Sequence, residues 1–375
     1  LLMLSGAMDS LTIGNPAELS TDIGPVIDND ALQVLQQHIK YMHKNAKFIA
    51  KVQPAIPLAG QGSFIAPHIF EIQSLNDLSG EVFGPILHVI RYRASDLNSV
   101  LDDINNSGYG LTLGIHSRIE AVADYIYRNT RVGNTYINRN TVGAVVGVNP
   151  FGGNGLSGTG PKAGGPHYLL RFAEVCDGKA GAEETSAVLV IKPITAFIKA
   201  YLSSPCLLPG PTGEENTLSL QGRGSVISVV RGHYSEADIA VLLALPLASG
   251  CSLTVYSDEA ARPKIERVLA ALPDYKVQVL LINKLAVSLL EQGLSAVTVL
   301  DNDREIASLQ QSLAERVGAI VPLIVLPLNS ASYFSAQHNK NHEALALLIR
   351  FVIEKTRTDN LVAKGGNTQL FNLIE

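Results

Sequence analysis

The sequence has few cysteines, no tryptophan and no excess of basic residues. Among 375 residues there are no tryptophans and only three cysteines, and the formal net charge is -5. Three widely spaced cysteines provide neither a disulfide framework nor a CxxC metal site, so we expect a reduced, cytoplasmic protein without a bound metal ion. The slightly acidic balance excludes the basic surface through which proteins bind nucleic-acid phosphates.

Long apolar runs are missing as well. The longest, such as residues 319–328, are interrupted by proline and fall short of the ~20 residues that a membrane-spanning helix needs. The opening residues, LLMLSGAMDSLTIGNP, contain no basic region and do not start with methionine, so we expect a piece of a longer protein. Hydrophobic residues make up 46% of the chain, which favours a large buried core. The length predicts two or three domains, at roughly 100–200 residues each.

Apolar spacing predicts alternating helices and strands in the first half of the chain. Alternation at this spacing implies a parallel or mixed α/β sheet. The predicted helices are residues 31–47, capped within Asp28 to Asp30, a short helix within 97–110 that Gly108 and Gly110 stop, and 118–130. The predicted strands are 60–72, 81–92, 111–117 and 132–138.

A change of composition divides the chain. Residues 178–216 are rich in glycine, proline and small polar residues, with residues 188–202 as an ordered arm inside them. Beyond this join we predict a strand at 225–230, a helix capped by Ser235, and strands at 252–256, 276–282 and 296–300. The predicted segments are therefore a first domain (1–177), a linker and oligomerisation arm (178–222) and a second, βαβ-type domain (223–375).

One short motif needs separate treatment, because Gly153 to Gly158 fits the GxGxxG spacing of dinucleotide-binding loops. That motif binds phosphates only when its glycines follow a strand and begin a helix. Here Pro150 stands ahead of the glycines, and Gly160 and Pro161 follow them and would break a helix. We therefore interpret the stretch as a loop with another purpose, and a plain glycine-rich surface turn is the alternative.

Six short motifs, in order along the first 160 residues, together resemble the aldehyde dehydrogenase superfamily. Residues 140–169 resemble its L-glutamate γ-semialdehyde dehydrogenase branch, also called Δ1-pyrroline-5-carboxylate dehydrogenase, and residues 210–216 and 363–373 resemble the end of the proline utilization A family of bifunctional, proline-oxidising flavoenzymes. The six motifs are GPVI (24–27), GSFIAPHIF (62–70), EVFGP (81–85), YGLTLGIHSR (109–118), GNTYIN (133–138) and PFGGNGLSGTG (150–160).

The resemblance implies an oxidoreductase that converts L-glutamate γ-semialdehyde to glutamate. In that family a cysteine thiolate attacks the aldehyde, NAD+ accepts the hydride and an activated water hydrolyses the thioester. The nucleophilic cysteine, the glutamate base and the NAD domain are expected upstream, as is a proline dehydrogenase domain with FAD, so the chain alone should be inactive. Cys176, Cys206 and Cys251 match no nucleophile motif, and we interpret them as structural or incidental.

The same resemblance assigns contacts within this chain. Glu81 would hold the nicotinamide ribose hydroxyls and Phe83 would pack near the nicotinamide ring. Gly143 and Ala144 would bind the α-carboxylate and α-ammonium of the substrate through their main chain, with Phe151 against its aliphatic part. Lys162 and His167 could serve as anion binder and base, but we interpret them as surface or loop-bracing residues. The partners implied are the upstream domains and further copies of the protein, as a homo-oligomer.

The second half resembles a degenerate copy of the superfamily's nucleotide domain. Tyr256 and Ser257 stand where that domain has lysine and proline, and Asp301 places an acid where a phosphate would lie. The expected fold is thus α/β, with a portion of an aldehyde dehydrogenase catalytic domain followed by a Rossmann-like domain without cofactor. Two alternatives remain: a non-catalytic assembly or lid module, and an independent nucleotide-binding protein.

Overall fold

The computed structural model describes residues 1–53, 62–172, 186–334 and 341–362. It divides into two units, Leu1–Asp103 and Ile104–Glu375. Helix α3 (Leu97–Asn106) crosses this division. The boundaries predicted at residues 177 and 222 stay a prediction. Within the described ranges, no helix is both long enough and apolar enough to span a bilayer.

The first unit places two helices beside a three-stranded sheet. Its elements are α1 (Leu2–Asp9), α2 (Asn29–Asn45), β1 (Lys47–Lys51), β2 (His68–Glu71) and β3 (Ile86–Val89). Strand β2 is antiparallel to β1 and parallel to β3.

Local sequence signals explain where these elements begin. The Asp28 carboxylate accepts a bond of 2.8 Å from the Ala31 amide, which confirms the predicted cap of α2. The strands predicted at 60–72 and 81–92 are much shorter in the structure, and residues 60 and 61 lie outside the described ranges. Pro67 and Pro85 directly precede β2 and β3, and a proline has no N–H to donate to a ladder.

A five-stranded mixed sheet begins the second unit. The order is β5-β6-β15-β9-β8, with β5, β6 and β15 parallel and β9 antiparallel to both β15 and β8. Its elements are β5 (Thr112–Ile115), β6 (Asn134–Ile137), β8 (Cys206–Leu208), β9 (Glu214–Gly222) and β15 (Val352–Asn360). Beside them lie α4 (Glu120–Asn129), α5 (Ala187–Leu202) and a two-stranded ribbon of β4 (Tyr109–Gly110) and β7 (Asn154–Gly155).

The rest of the second unit is a doubly wound parallel sheet. All five strands are parallel, in the order β12-β11-β10-β13-β14. Numbered along the chain this is 3-2-1-4-5, the order of a Rossmann-type sheet, which confirms the predicted fold class. The strands are β10 (Ser225–Val230), β11 (Ser252–Ser257), β12 (Gln278–Leu281), β13 (Leu294–Leu300) and β14 (Leu323–Leu326), and the helices are α6 (Glu236–Ala248), α7 (Arg262–Ala270), α8 (Leu285–Ser288), α9 (Ile306–Ala314) and α10 (Asn341–Leu348).

Helix α6 shows why this sheet is fully enclosed. Its residues from Asp238 to Leu247 are all buried, so the helix is apolar on every side and lies inside the domain. The Ser235 hydroxyl accepts a bond of 3.1 Å from the Asp238 amide, as the predicted cap requires. A second apolar cluster, around Val297 and Leu309, covers the opposite face of the sheet.

Two long strands were not predicted from the sequence. Strands β9 and β15 pair over nine residues, from Glu214↔Asn360 to Gly222↔Val352. Strand β15 then pairs with β6, which lies more than 200 residues earlier in the chain. As a result one sheet takes strands from all three segments predicted from the sequence.

The carboxyl ends of β10 and β13 meet where a doubly wound sheet reverses its strand order, the usual place for a nucleotide. There the Asp303 carboxylate lies 3.1 Å from Arg231 Nε and accepts a bond of 2.7 Å from the Tyr234 hydroxyl. Tyr256, at the position expected of a ribose-binding lysine, is buried and donates to Ser288 Oγ at 2.5 Å. The absence of a cofactor from this half stays a prediction.

The Tyr234 hydroxyl should contribute measurably to stability. Because it donates to a buried carboxylate, Tyr234→Phe should lower the free energy of unfolding by about 1–2 kcal/mol. Urea denaturation of the chain followed by circular dichroism would measure the change. Tyr275→Phe, at a residue that is 37% exposed, is the control and should have little effect. Equal free energies of unfolding for the two variants would show that the bond from Tyr234 to Asp303 does not contribute to stability.

Candidate functional site

The EVFGP segment forms an exposed loop in the first unit, directly before β3. The Glu81 side chain is exposed, and Phe83 is 86% exposed. The loop is fixed at its end, because the His68 amide donates to the Pro85 carbonyl at 3.1 Å. Both side chains assigned to the cofactor are therefore accessible to a ligand.

The residues assigned to the substrate lie in the second unit, in the glycine-rich loop (residues 140–165) that follows β6. Gly143 has φ of +94°, a backbone conformation that glycine adopts without strain. A Cβ atom at Gly143 would meet no other atom within 4 Å, so the main chain borders open space there. Ala144 is also exposed. The carbonyl of Gly143 accepts a bond of 3.3 Å from the hydroxyl of Tyr136, which is buried.

The glycine-rich loop closes on itself. Phe151 and Ala163 exchange two backbone bonds of 3.0 and 2.9 Å, and the Gly147 amide donates to the Gly164 carbonyl at 2.9 Å. Phe151 is half-buried. The loop thus contains a short ladder, and Gly143 and Ala144 precede this ladder, between β6 and Gly147.

The GxGxxG stretch lies in this loop but has no dinucleotide-binding geometry. Its central residues form β7, which pairs with β4, and a turn follows instead of a helix. A Cβ on Gly155 would approach the Gly108 carbonyl oxygen to 2.3 Å, so close strand packing requires this glycine. The interpretation that the motif does not bind a dinucleotide is supported.

Lys162 is buried, with 2% of its surface exposed. Its Nζ atom donates to the Gly152 carbonyl at 2.6 Å and to the side-chain oxygen of Asn134. Burial lowers the pKa of Lys162 to about 7, although the charge of Glu354 acts in the opposite direction. A neutral amine has two N–H groups for these two acceptors, whereas an ammonium group would have a third. Of the two alternatives stated for Lys162, loop-bracing is therefore the one observed.

The Glu354 carboxylate, on β15, contacts both the Lys162 amide and the His167 side chain. Its Oε2 accepts a bond of 2.5 Å from the Lys162 amide, and its Oε1 lies 2.6 Å from His167 Nδ1. Because an ionised carboxylate only accepts, His167 Nδ1 carries the proton of that bond. Glu354 is 7% exposed. His167 is thus loop-bracing as well, and its imidazole faces a carboxylate of the protein.

Two further contacts attach the glycine-rich loop to β9 and β15. The Asn149 amide donates to Asn216 at 2.7 Å and to Thr358 at 3.0 Å, and all three side chains are buried. Before the loop, Arg139 forms a 2.5 Å ion pair with Glu214. Every one of these partners lies on a strand that the sequence did not reveal. Glu354 and Thr358 lie in a polar stretch that no motif or apolar period distinguishes, and Asn216 ends the motif at residues 210–216, which did not predict a strand.

The cysteines show no reactive setting in the described ranges. Cys251 is buried, its thiol donates to the Phe351 carbonyl at 3.2 Å, and burial raises its pKa. Cys206 is exposed, and Cys176 lies outside the described residues. In the part of the chain that is described, His, Cys, Asp and Glu side chains form no group of three suited to a metal ion.

The buried amine of Lys162 should make stability depend on pH. An unfolded lysine has a pKa near 10.5, so between pH 7 and 10.5 the unfolded chain binds more protons, and stability rises with pH. The contribution of Lys162 should grow by on the order of 2 kcal/mol from pH 7 to pH 9. In Lys162→Met this part of the increase in the free energy of unfolding should disappear. Urea denaturation at several pH values would measure it.

Lys355 is a second buried lysine, whose pKa is lowered to about 8 by burial, so part of the pH dependence should persist in the Lys162→Met variant. Lys47→Met, at an exposed side chain, is the control and should leave the whole pH dependence in place. A Lys162→Met variant with the unaltered pH slope would mean that the folded protein keeps this amine protonated.

Comparison with known proteins gives the family. Residues 3–176 match the aldehyde dehydrogenase family. The chain is 36% identical to the bifunctional protein PutA of Klebsiella aerogenes, over 97% of this chain and 29% of that protein. It is 38% identical to the 1-pyrroline-5-carboxylate dehydrogenase of Geobacillus sp. (strain WCH70), over 43% of this chain and 30% of that enzyme.

A solved structure agrees with the overall fold. Proline utilization A from Corynebacterium freiburgense covers 95% of this chain with a TM-score of 0.56 at 19% identity, and 33% of that protein is matched. The chain thus spans about 29% of the length of the curated PutA relatives. Residues 3–176 belong to the aldehyde dehydrogenase family, within a chain that is related over almost its whole length to bifunctional PutA proteins.

Proposed function

We propose that this chain is part of the NAD-dependent L-glutamate γ-semialdehyde dehydrogenase of a bifunctional enzyme that oxidises proline to glutamate. In this proposal the nucleophilic cysteine, the NAD domain and a proline dehydrogenase domain with FAD belong to upstream parts of the same polypeptide. The proposed role of the chain is to bind one end of the amino-acid substrate and one end of the cofactor. Its relatives named PutA and 1-pyrroline-5-carboxylate dehydrogenase support this proposal.

The observation that carries the proposal is the exposed main chain at Gly143 in a loop whose base is held by buried side chains. A zwitterionic α-amino acid presents a carboxylate and an ammonium group, which backbone N–H and C=O groups can bind together. Gly143 and Ala144 have small side chains that leave these groups accessible. Phe151 of the same loop would pack on the aliphatic part of the substrate.

The residues that would contact NAD+ fit that role by their accessibility. A carboxylate can accept bonds from both ribose hydroxyls, and Glu81 is exposed. Phe83 presents an uncovered ring that can pack near the nicotinamide. When bound, the cofactor would accept the hydride of the aldehyde, while Glu81 and Phe83 orient it.

Blocking the open space at Gly143 should impair substrate binding. In the intact enzyme, Gly143→Trp should lower kcat/KM for L-glutamate γ-semialdehyde by about 100-fold, because misplacement of a substrate by about 1 Å has an effect of this size. NADH formation measured by absorbance would give the value. Gly6→Trp, at another glycine without neighbours within 4 Å, is the control. Unchanged kinetics in Gly143→Trp would favour the alternative of an assembly module.

Removing the Glu81 carboxylate should weaken the binding of NAD+. Glu81→Ala should raise the KM for NAD+ by roughly 10-fold, since bonds to a charged group contribute about 1.5–3 kcal/mol. Steady-state kinetics at saturating semialdehyde would test this, with Glu18→Ala at an exposed glutamate of the same unit as control. An unaltered KM for NAD+ would remove Glu81 from the cofactor site.

A further inference from the structure

The glycine-rich loop cannot define its own shape. It contains nine glycines among 26 residues, and glycine loses more conformational freedom on folding than any other residue. The backbone bonds of its short ladder join Gly147 to Gly164 and Phe151 to Ala163. They leave the loop's orientation on the sheet to be set by other contacts.

One face of β15 provides those contacts. Glu354, Thr356 and Thr358 occupy every second position of the strand, so their side chains point to the same side of the sheet. Glu354 accepts from the Lys162 amide, Thr356 Oγ1 lies 3.3 Å from the Asn134 oxygen that also binds the Lys162 amine, and Thr358 accepts from Asn149.

Glu354 differs from the two threonines because it bonds both to Lys162, near the end of the loop, and to His167, which directly follows the loop. Its bonds to the Lys162 amide (2.5 Å) and to His167 (2.6 Å) connect residues five positions apart in the chain. The carboxylate is buried, and charge-assisted bonds in such surroundings are stronger and more directional than neutral ones.

We propose that Glu354 is a positioning residue for the glycine-rich loop, so that the last described strand sets the geometry with which Gly143 and Ala144 bind an amino-acid aldehyde. This rests on the function proposed above. Glu354 touches neither substrate nor cofactor in this proposal. It acts through Lys162 and His167, and its influence is confined to substrates that carry the α-carboxylate and α-ammonium groups.

The test uses the intact enzyme and two aldehydes. L-Glutamate γ-semialdehyde has the groups that the loop would bind, whereas butanal has neither. In Glu354→Ala the ratio of kcat/KM for the semialdehyde to that for butanal should fall by about 10-fold or more, mostly through KM for the semialdehyde. A merely structural role would reduce the active fraction and lower both values equally, so the ratio would not change.

Three variants complete the experiment. Glu354→Gln keeps an oxygen that can accept from the Lys162 amide and should restore the ratio to within about 3-fold of the parent. Glu215→Ala, at an exposed glutamate of β9, is the matched control and should leave the ratio unaltered. If Glu354→Ala does not fold, Glu354→Asp replaces it, because the carboxylate is then withdrawn by one methylene group and the ratio should fall by about 3-fold.

The outcomes separate this proposal from the function on which it rests. An unchanged ratio in both Glu354→Ala and Glu354→Asp, together with a loss of kcat/KM in Gly143→Trp, would overturn the role of Glu354 and leave the loop's role intact. If Gly143→Trp also has no effect, the proposed function itself is wrong.

Discussion

The bond between the Glu354 carboxylate and the Lys162 amide joins the glycine-rich loop to β15, 192 residues later in the chain. It is one of several polar contacts by which β9 and β15 hold the glycine-rich loop, and the parallel pairing of β15 with β6 sets the position of those that β15 makes. Because side chains alternate along a strand, a single register places Glu354, Thr356 and Thr358 under the loop. The opposite side chains, Lys355 and Arg357, turn toward α4, where Lys355 donates to the Tyr127 carbonyl at 2.5 Å.

Buried charges on one strand make its register specific. A shift by one residue would exchange the two faces, placing Lys355 under the loop amide and Glu354 against the carbonyls of α4. Both exchanges would leave buried charged groups without suitable partners, which is far more costly than the loss of an apolar contact. The polar network therefore specifies the pairing more strictly than an apolar strand of the same length would.

The sequence allowed prediction of those parts of the fold that have local signals. Asp28 and Ser235 are helix caps recognisable by residue type and spacing, and residues 225–230 are an apolar run that forms the central strand β10. Strands β9 and β15 have no such signal. Residues 352–360, VIEKTRTDN, look like a solvated segment, and their burial follows from partners more than 130 residues away. The motifs predicted the loop and the residues proposed to bind the substrate, but nothing local in the sequence predicted the long-range contacts from β9 and β15 that hold the loop.

This arrangement gives a structural role to the two strands β9 and β15 that follow residue 176. A loop that binds ligands through its main chain needs small residues, and small residues supply few contacts of their own. Under the function proposed above, the rigidity that recognition requires comes from a sheet completed by β9 and β15. The same two strands lead into and out of the doubly wound domain, since β9 directly precedes β10 and β15 follows α10. That domain adjoins both strands where Gly222 pairs with Val352, two residues from Glu354, and Arg223 at this junction donates to the Thr159 carbonyl of the loop at 3.5 Å. The packing of the doubly wound domain therefore constrains the end of β15 that carries Glu354, whether or not that domain binds a ligand.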